Sequence, residues 1–352
     1  MVAAQLIFGL KQFKLFTQYN LFMLAPEKIV WGIIGCGDVT EVKSGPAFNK
    51  VANSELHAVM RRDKVLLADY AKRHAVPYQY TDVDSLIADP AINAIYIATP
   101  PKFHEPFSIK AMTAGKFVYV EKPVTRDVAE AKRMQSFSDQ TGVKMVVAHY
   151  RRALPMFIEI KRIIETGVLG KINLVTLQYF EPAIEPSNLT PKDLWRIDPS
   201  LAGAGLFYDI APHQIDIMIH ILGKPLKYGG NFLTQLKTSP VEDTVNGWIH
   251  FDQDILFTGT WGFSMPAAMK RDHCEIIGDK GTLTFNFFGT EGFLKMSNGD
   301  SQKFIQPKHI QQPMIEKVVQ YFLGKTTNPS PIEEAILSME VMENFVYEKQ
   351  GF

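Results

Sequence analysis

The stretch Ile29-Val30-Trp31-Gly32-Ile33-Ile34-Gly35-Cys36-Gly37-Asp38-Val39 indicates how the first half of the chain folds. Its apolar beginning is typical of a strand that is buried on both faces of a parallel sheet. Its Gly-x-Gly ending is typical of a sharp turn at which backbone N–H groups approach a pyrophosphate. A turn that follows a buried strand and binds no ligand has the same spacing, so both interpretations remain open for this stretch alone.

Strand and helix patterns alternate from about residue 28 to residue 150, which predicts a parallel sheet with right-handed crossovers. The further predicted strands comprise residues 55–60, 93–98, 117–120 and 144–148. Ligands of such sheets bind beyond the carboxyl ends of the strands. The motifs that fall at this edge are Gly35-x-Gly37, Thr99-Pro100, Glu121-Lys122-Pro123 and Tyr150-Arg151.

The pattern changes in the second half, where apolar and polar residues alternate in several segments between residues 172 and 296. This alternation predicts a mainly antiparallel sheet with one solvated or partner-covered face. One predicted helix at 208–222 interrupts the sheet, and a helical region from 311 to 350 follows it. We therefore predict an α/β protein with an extension at 1–27, expected to be poorly ordered, and two domains at 28–150 and 151–352.

The composition is that of an ordinary globular protein, because 46% of the 352 residues are hydrophobic and the formal net charge is zero. Basic residues are not in excess over acidic residues, so the composition does not indicate a nucleic-acid partner. The apolar run near the start, residues 3–10, is too short to span a bilayer. Cys36 and Cys274 lie far apart in sequence and are interpreted as free thiols. We expect a cytoplasmic protein without nucleic-acid or membrane partners.

The predicted helix at 208–222 carries Asp209, His213, Asp216 and His220 on one face. A solvated face explains such a stripe, and Asp209 also suits an N-cap. Catalysis is a third interpretation. The two histidines are seven residues apart, about 10.5 Å of helical rise, which is too far for one ion. We therefore predict no metal site.

Seven motifs are distributed along the chain, namely Gly35-Cys36-Gly37, Ala98-Thr99-Pro100-Pro101 with His104, Ala114-Gly115-Lys116, Glu121-Lys122-Pro123, Gly203-x-Gly205, Asp209-x-x-x-His213-x-x-Asp216 and Gly278-Asp279-Lys280-Gly281. In these motifs the chain resembles the Gfo/Idh/MocA family of NAD(P)-dependent oxidoreductases. Their order and intervals fit from about residue 28 to the C-terminal helices. The chain departs from the family pattern at Thr40, which replaces the third glycine, and at Ser44-Gly45-Pro46, which interrupts the expected first helix.

The resemblance implies an N-terminal Rossmann domain and a C-terminal α/β domain with a large open, mainly antiparallel sheet. It implies that this sheet forms the interface of a homodimer or homotetramer. It also implies a hydride transfer between a nicotinamide cofactor and a small-molecule substrate, which we take to be a sugar or polyol. Some family members instead cleave glycosides by transient oxidation with a tightly bound dinucleotide, and others sense the dinucleotide without catalysis.

The resemblance places the catalytic residues at Lys122, Asp209 and His213, of which Asp209 and His213 also contact the substrate. Trp195 and Arg196 are further candidates for the substrate pocket, although ordinary packing and surface charge explain them equally well. The same alternative applies to Arg151 and its neighbours. The candidate cofactor-binding residues are Gly35, Gly37, Asp38, Val39, Arg61, Arg62, Thr99, Pro100, His104, Glu121, Lys122 and Arg151.

The residues after the second strand predict which dinucleotide binds. An acidic residue at the end of that strand accepts hydrogen bonds from the ribose of NAD and repels a 2′-phosphate. Here the position falls on Arg61, followed by Arg62, and guanidinium groups bind phosphate instead. We therefore predict a preference for NADP(H) over NAD(H). If the strand were longer, Asp63 would become the ribose ligand, whereas a strand that ends earlier leaves Asp63 as a helix cap.

Overall fold

The computed structural model describes residues 26–184, 194–236, 241–305 and 310–347. The predicted extension at 1–27 therefore lies almost wholly outside the described residues. The described residues form two sheets, one of six strands and one of eight. The predicted α/β class, with one parallel and one mainly antiparallel sheet, is confirmed.

The first sheet is entirely parallel, with the order β3-β2-β1-β4-β5-β6. Its strands are β1 (Ile29–Ile34), β2 (Ser54–Met60), β3 (Tyr78–Tyr80), β4 (Ala94–Ile97), β5 (Phe117–Val120) and β6 (Met145–Val147). Its helices are α1 (Asp38–Val42), α2 (Gly45–Phe48), α3 (Lys64–Arg73), α4 (Val83–Ala88), α5 (His104–Thr113) and α6 (Val128–Thr141). The order reverses at β1, so a crevice for ligands opens beyond the carboxyl ends of β1 and β4.

The second sheet has the order β14-β13-β12-β11-β7-β10-β9-β8 and is antiparallel except for the pair β7 and β10. Its strands are β7 (Ile172–Pro182), β8 (Pro225–Leu233), β9 (Thr244–Phe251), β10 (Ile255–Met265), β11 (Arg271–Gly278), β12 (Gly281–Phe285), β13 (Glu291–Met296) and β14 (Ser301–Ile305). Burial alternates along β9, because one face of the sheet packs on helices and the other faces solvent in the single chain.

The helices of the second half are α7 (Pro155–Glu165), α8 (Pro199–Ala202), α9 (Leu206–Ile210), α10 (Pro212–Leu222), α11 (Gln312–Phe322) and α12 (Ile332–Val346). The helix predicted at 208–222 is thus two helices, because Pro212 has no N–H to donate to the carbonyl of Tyr208. The last two helices connect the sheets. Phe322 packs on the Trp31 ring, and Ile336 joins the core of the first sheet.

Candidate active site

The turn after β1 has the geometry that a dinucleotide needs. Gly35 has a φ of +93°, and a Cβ there would lie 2.7 Å from the carbonyl oxygen of Ala98. A Cβ at Gly37 would meet no atom within 4 Å, so space remains open in front of α1 for a pyrophosphate. Thr40 is fully buried, and its Oγ1 donates to the carbonyl of Gly37 at 2.7 Å. The replacement of the third glycine therefore leaves the turn intact.

The end of β2 lies where the sequence analysis predicts it, at Met60. Arg61 donates from Nη1 to the carbonyl of Cys36 at 2.8 Å, so its guanidinium lies against the glycine turn. Arg62 is exposed. Asp63 caps α3, because one carboxylate oxygen accepts from the N–H groups of Val65 and Leu66 at 2.9 and 3.0 Å. Of the two roles considered for Asp63, ribose ligand and helix cap, the structure therefore supports the helix cap.

His104 holds two loops together at the carboxyl edge of the first sheet. It is fully buried, with Nε2 at 2.7 Å from the carbonyl oxygen of Thr99 and Nδ1 at 3.0 Å from that of Pro123. Burial lowers its pKa to about 4, so the imidazole is neutral near pH 7. The predicted cofactor contact at His104 is corrected, because no surface of the side chain is accessible. Thr99 and Pro100 themselves are partly exposed at the crevice.

Neighbouring residues Glu121 and Lys122 have different environments. Glu121 is buried and accepts a hydrogen bond of 2.5 Å from the hydroxyl of Tyr96, and burial raises its pKa. Lys122 reaches across to α9, where its Nζ lies 2.7 Å from Oδ1 of Asp209 and 2.8 Å from the carbonyl oxygen of Asp209. Lysines are mostly exposed in proteins, but only 13% of the Lys122 side-chain surface is accessible.

Asp209 connects the Lys122 ammonium to a third charged side chain. Its other oxygen, Oδ2, accepts from Nε of Arg196 at 3.2 Å, and the Arg196 guanidinium lies 4.8 Å from the ring centre of Trp195. Burial acts to raise the pKa of Asp209, but the charges of Lys122 and Arg196 outweigh it and lower that pKa. The N-cap interpretation of Asp209 is wrong, because Gly205 precedes α9 and Ala211 precedes α10.

His213 lies at the start of α10 between two aromatic rings, those of Tyr150 at 5.3 Å and Phe288 at 5.6 Å. It is 8% exposed. Burial lowers its pKa well below the ordinary value, and the charges of Lys122 and Arg151 lower it further. The imidazole is therefore neutral at physiological pH and can accept a proton. Phe288 follows β12, and no motif in this part of the sequence indicates that it belongs to the site.

Asp216, on the same helix as His213, belongs to a buried ion-pair cluster. Nε of Arg152 donates to Oδ2 of Asp216 at 2.9 Å, and Nδ1 of His149 lies 2.5 Å from Oδ1. All three side chains are almost fully buried. Burial opposes the charge on Asp216, but the Arg152 guanidinium outweighs it and lowers its pKa. The solvated-face interpretation of this helix is wrong, because α10 is buried on nearly every side.

Arg151 is buried as well, so it is not the surface charge that the sequence left open as an alternative. Nη1 donates to the carbonyl of Phe287, and the guanidinium lies 4.4 Å from the ring centre of Phe288 and 5.1 Å from that of Tyr150. Arg151 therefore supports the two rings that enclose His213. Its position directly after β6, at the same edge as the other motifs, is the sequence signal for this role.

Lys43 is a residue of this site that the sequence analysis missed. It lies between α1 and α2, where the N–H and the hydroxyl of Ser44 both donate to the carbonyl of Val39 at 3.2 Å. Burial lowers its pKa, and the charge of Lys122 lowers that pKa further. The interruption at Ser44-Gly45-Pro46 is the signal that could have pointed to it.

The described residues lack two structural features. None of their helices combines the length and the apolar character that crossing a bilayer requires. None of their His, Cys, Asp and Glu side chains form a group of three or more that is arranged to hold a metal ion.

Comparison with known proteins identifies related sequences and folds. The model of an oxidoreductase family with an NAD-binding Rossmann fold matches residues 29–149, and that of the GFO/IDH/MocA C-terminal domain matches residues 157–284. Oxidoreductase P35 of Formosa agariphila is 41% identical over 91% of this chain and 98% of its own length. The scyllo-inositol 2-dehydrogenase (NADP(+)) of Bacillus subtilis is 27% identical over 66% of this chain and 63% of its own. The aldose-aldose oxidoreductase of Caulobacter crescentus, solved with glycerol, superposes with a TM-score of 0.77 at 21% identity, covering 90% of this chain and 96% of that one.

Proposed function

From the membership of this chain in the Gfo/Idh/MocA family of oxidoreductases, which the matches above show, we propose a specific activity. The protein is an NAD(P)-dependent dehydrogenase or reductase that acts on a CH–OH group of a sugar or polyol. Residues 28–150 bind the dinucleotide, and residues 151–352 form the substrate pocket and the subunit interface. The observation that carries the proposal is the pairing of Lys122 with Asp209 at 2.7 Å, beside a neutral His213.

Each of the three side chains has a role that follows from its environment. In the oxidative direction, His213 accepts the hydroxyl proton of the substrate. The bound nicotinamide supplies the acceptor for the hydride that leaves the same carbon. Lys122 stabilises the negative charge on the substrate oxygen while the C–O bond becomes a carbonyl. Asp209 holds the Lys122 ammonium in place, and Arg196 holds Asp209 from its other oxygen.

The names of related proteins support the substrate class. One relative is an inositol dehydrogenase and one similar fold belongs to an aldose oxidoreductase, so both act on polyhydroxylated compounds. A panel of sugars, polyols and glycosides incubated with each dinucleotide tests the proposal, with the absorbance of the reduced cofactor and the release of free sugar as readouts. We expect net cofactor reduction. Sugar release without net reduction would instead support glycoside cleavage, and dinucleotide binding without either change would support a sensor.

We predict that the protein binds NADP(H) more tightly than NAD(H). Arg61 lies against the glycine turn, Arg62 is exposed beside it, and Asp63 is occupied as a helix cap. The double variant Arg61→Ala/Arg62→Ala is expected to lose about 10- to 100-fold in NADP(H) affinity, because charge-assisted hydrogen bonds to the 2′-phosphate disappear. Fluorescence titration of both reduced dinucleotides measures this.

The same titration carries its own control. The double variant is expected to keep its affinity for NAD(H), which shows that the glycine turn has remained folded. Lys72→Ala, which removes an exposed cation at the end of α3, is expected to change neither affinity. A wild type that binds NAD(H) more tightly than NADP(H) would make the prediction wrong.

We further predict a homodimer or homotetramer that forms through the second sheet. Trp248 and Leu256 are 39% and 40% exposed on its outer face, whereas Ile249 and Phe257 are fully buried on the inner face. Exposed apolar surface of this kind is typical of a protein interface. The variant Trp248→Asp/Leu256→Asp is expected to lower the mass measured by light scattering to that of one chain. Val65→Asp, at a residue that is 78% exposed on α3, is the control. A wild-type mass of a single chain at micromolar concentration would exclude the oligomer.

A further inference from the structure

The loop at 286–290, which connects β12 to β13, is held against the start of β11. Asp272 of β11 accepts two hydrogen bonds from its backbone, from the N–H of Phe287 to Oδ1 at 3.0 Å and from that of Phe288 to Oδ2 at 2.6 Å. The side-chain amide of Asn286 also donates to the backbone carbonyl of Asp272. The position of Phe288 is therefore fixed through its backbone, and its ring is left to make other contacts.

The direction of the Asp272 side chain follows from the strand that carries it. Asp272 lies two residues before the fully buried Cys274 on β11, so both side chains point to the inner face of the sheet. Arg151 provides a second anchor, because its Nη1 donates to the carbonyl of Phe287. Two charged side chains from different segments therefore hold the same loop.

The ring of Phe288 is only partly covered by its neighbours. The Arg151 guanidinium lies over the ring at 4.4 Å from its centre, and the rings of Tyr179 and His213 lie at 5.3 and 5.6 Å. In the single chain Phe288 is nevertheless 40% exposed. Because the guanidinium covers one face, the accessible surface lies on the opposite face or at the rim. A ring in contact with the proton acceptor thus keeps accessible apolar surface.

A substrate that gives its hydroxyl proton to His213 has to approach this ring. The hydroxyl oxygen must come within about 2.6–3.2 Å of the imidazole, and the ring centres of His213 and Phe288 are 5.6 Å apart. The carbons beside the reacting one are therefore expected to reach Phe288. A cyclic sugar presents a rigid face of C–H groups there, and such a face packs well on a flat ring. An open-chain polyol rotates about each C–C bond, so it has to lose conformational freedom to present the same face.

We propose that Phe288 binds the C–H face of the substrate, so that the enzyme prefers cyclic sugars and cyclitols to open-chain polyols. This inference deepens the proposed function and rests on it. Asp272 acts as a positioning residue, since it touches the loop and reaches the substrate only through Phe288. The planar nicotinamide is the other group that fits an exposed ring, and titration of the cofactor distinguishes the two.

The test compares cyclic and open-chain substrates in wild type, Phe288→Ala and Phe288→Tyr. Glucose and glucitol form one pair, and galactose and galactitol form another. The readout is the ratio of the two kcat/KM values within a pair, because a disturbance of His213 lowers both values and leaves their ratio unchanged. Phe288→Ala is expected to lower the cyclic-over-open-chain ratio by about 10-fold through the lost apolar contact. Phe288→Tyr keeps the ring and is expected to keep the ratio.

Two further variants test how the ring is held. Asp272→Asn leaves one acceptor oxygen for the two N–H groups of the loop, so it is expected to lower the same ratio by less than Phe288→Ala does. An unchanged ratio in Asp272→Asn would overturn the positioning role. Ile158→Ala, at an apolar residue of α7 that is 45% exposed, is the control and is expected to leave the ratio unchanged.

Three results would overturn the role of Phe288 while the proposed function stands. They are a wild type without preference for the cyclic member, an unchanged ratio in Phe288→Ala, and a loss of NADP(H) affinity in that variant, which would assign the ring to the nicotinamide. If no sugar or polyol is turned over, the proposed function has failed, and calorimetric titration of glucose and of glucitol into the NADP-saturated protein decides about Phe288. Glucose binding that Phe288→Ala weakens supports the contact, and glucose binding that is equal in both proteins or absent from wild type refutes it.

Discussion

Replacing Lys122 by alanine, or His213 by alanine, is expected to lower turnover by about 10²- to 10⁴-fold. Lys122→Ala removes the positive charge that stabilises the substrate oxygen, and it leaves Asp209 with Arg196 as its partner. His213→Ala removes the neutral imidazole that accepts the proton. Both variants keep the glycine turn, so their dinucleotide affinity is expected to stay near that of wild type. Steady-state kinetics and cofactor fluorescence measure the two properties separately.

A matched control shows whether loss of any lysine has this effect. Lys224 is exposed just beyond the C-terminal end of α10, and Lys224→Ala is expected to leave turnover unchanged. Turnover within a few-fold of wild type in Lys122→Ala or in His213→Ala would contradict the catalytic assignment of that residue.

The second large effect is expected at Arg152, behind the catalytic helix. Arg152→Met removes the guanidinium that is paired with Asp216, and among the described residues His149 is then the one ion-pair partner left to this buried carboxylate. Breaking a buried ion pair on one side typically costs about 3–5 kcal/mol of unfolding free energy. Denaturant unfolding of wild type and variant measures the difference, provided that both unfold in one transition.

The pH dependence gives this prediction a direction. The pKa of Asp216 is lowered in the folded state, so the pair stabilises the fold fully above about pH 4, the ordinary value of an aspartate. This contribution declines as the pH falls towards the folded-state pKa. The cost of Arg152→Met is therefore expected to shrink in acid.

Two further variants separate the buried pair from a general effect of removing an arginine. Arg162→Met breaks an exposed pair with Glu159 on α7 and is expected to cost less than about 1 kcal/mol. Arg152→Met/Asp216→Leu removes both charges and is expected to regain much of the stability, since no unpaired carboxylate remains. If Arg152→Met costs no more than Arg162→Met, the pair does not stabilise the fold as we infer.

The parallel character of the first sheet was predictable because its signals are local, whereas the strand order and the short strand β3 were not predicted. The apolar run from Ile29 and the glycine at position 35 describe a buried strand and a turn within a few residues of sequence. The end of β2 at Met60 was likewise predictable, since Arg61 and Arg62 cannot continue a buried strand. The family resemblance rests on such short motifs, and the family membership is confirmed.

The spacing of the charged residues along 208–222 did not predict their environments. Helical spacing shows which residues share a face, but it does not show which other residues cover that face. Asp209 and Asp216 look equivalent in the sequence. In the fold, Asp209 meets Lys122 from the other half of the chain, whereas Asp216 meets Arg152 and His149 in the interior.

The sequence alone therefore determined the α/β class, the parallel first sheet and the edge at which the motifs gather, since strand and turn patterns depend on neighbouring residues. Only the tertiary structure decided the chemical state of the site. The neutral His213 and the charged Asp209 depend on burial and on charges that lie far away along the chain. Desolvation and Coulomb interactions act through space, so no local pattern of residues reveals them.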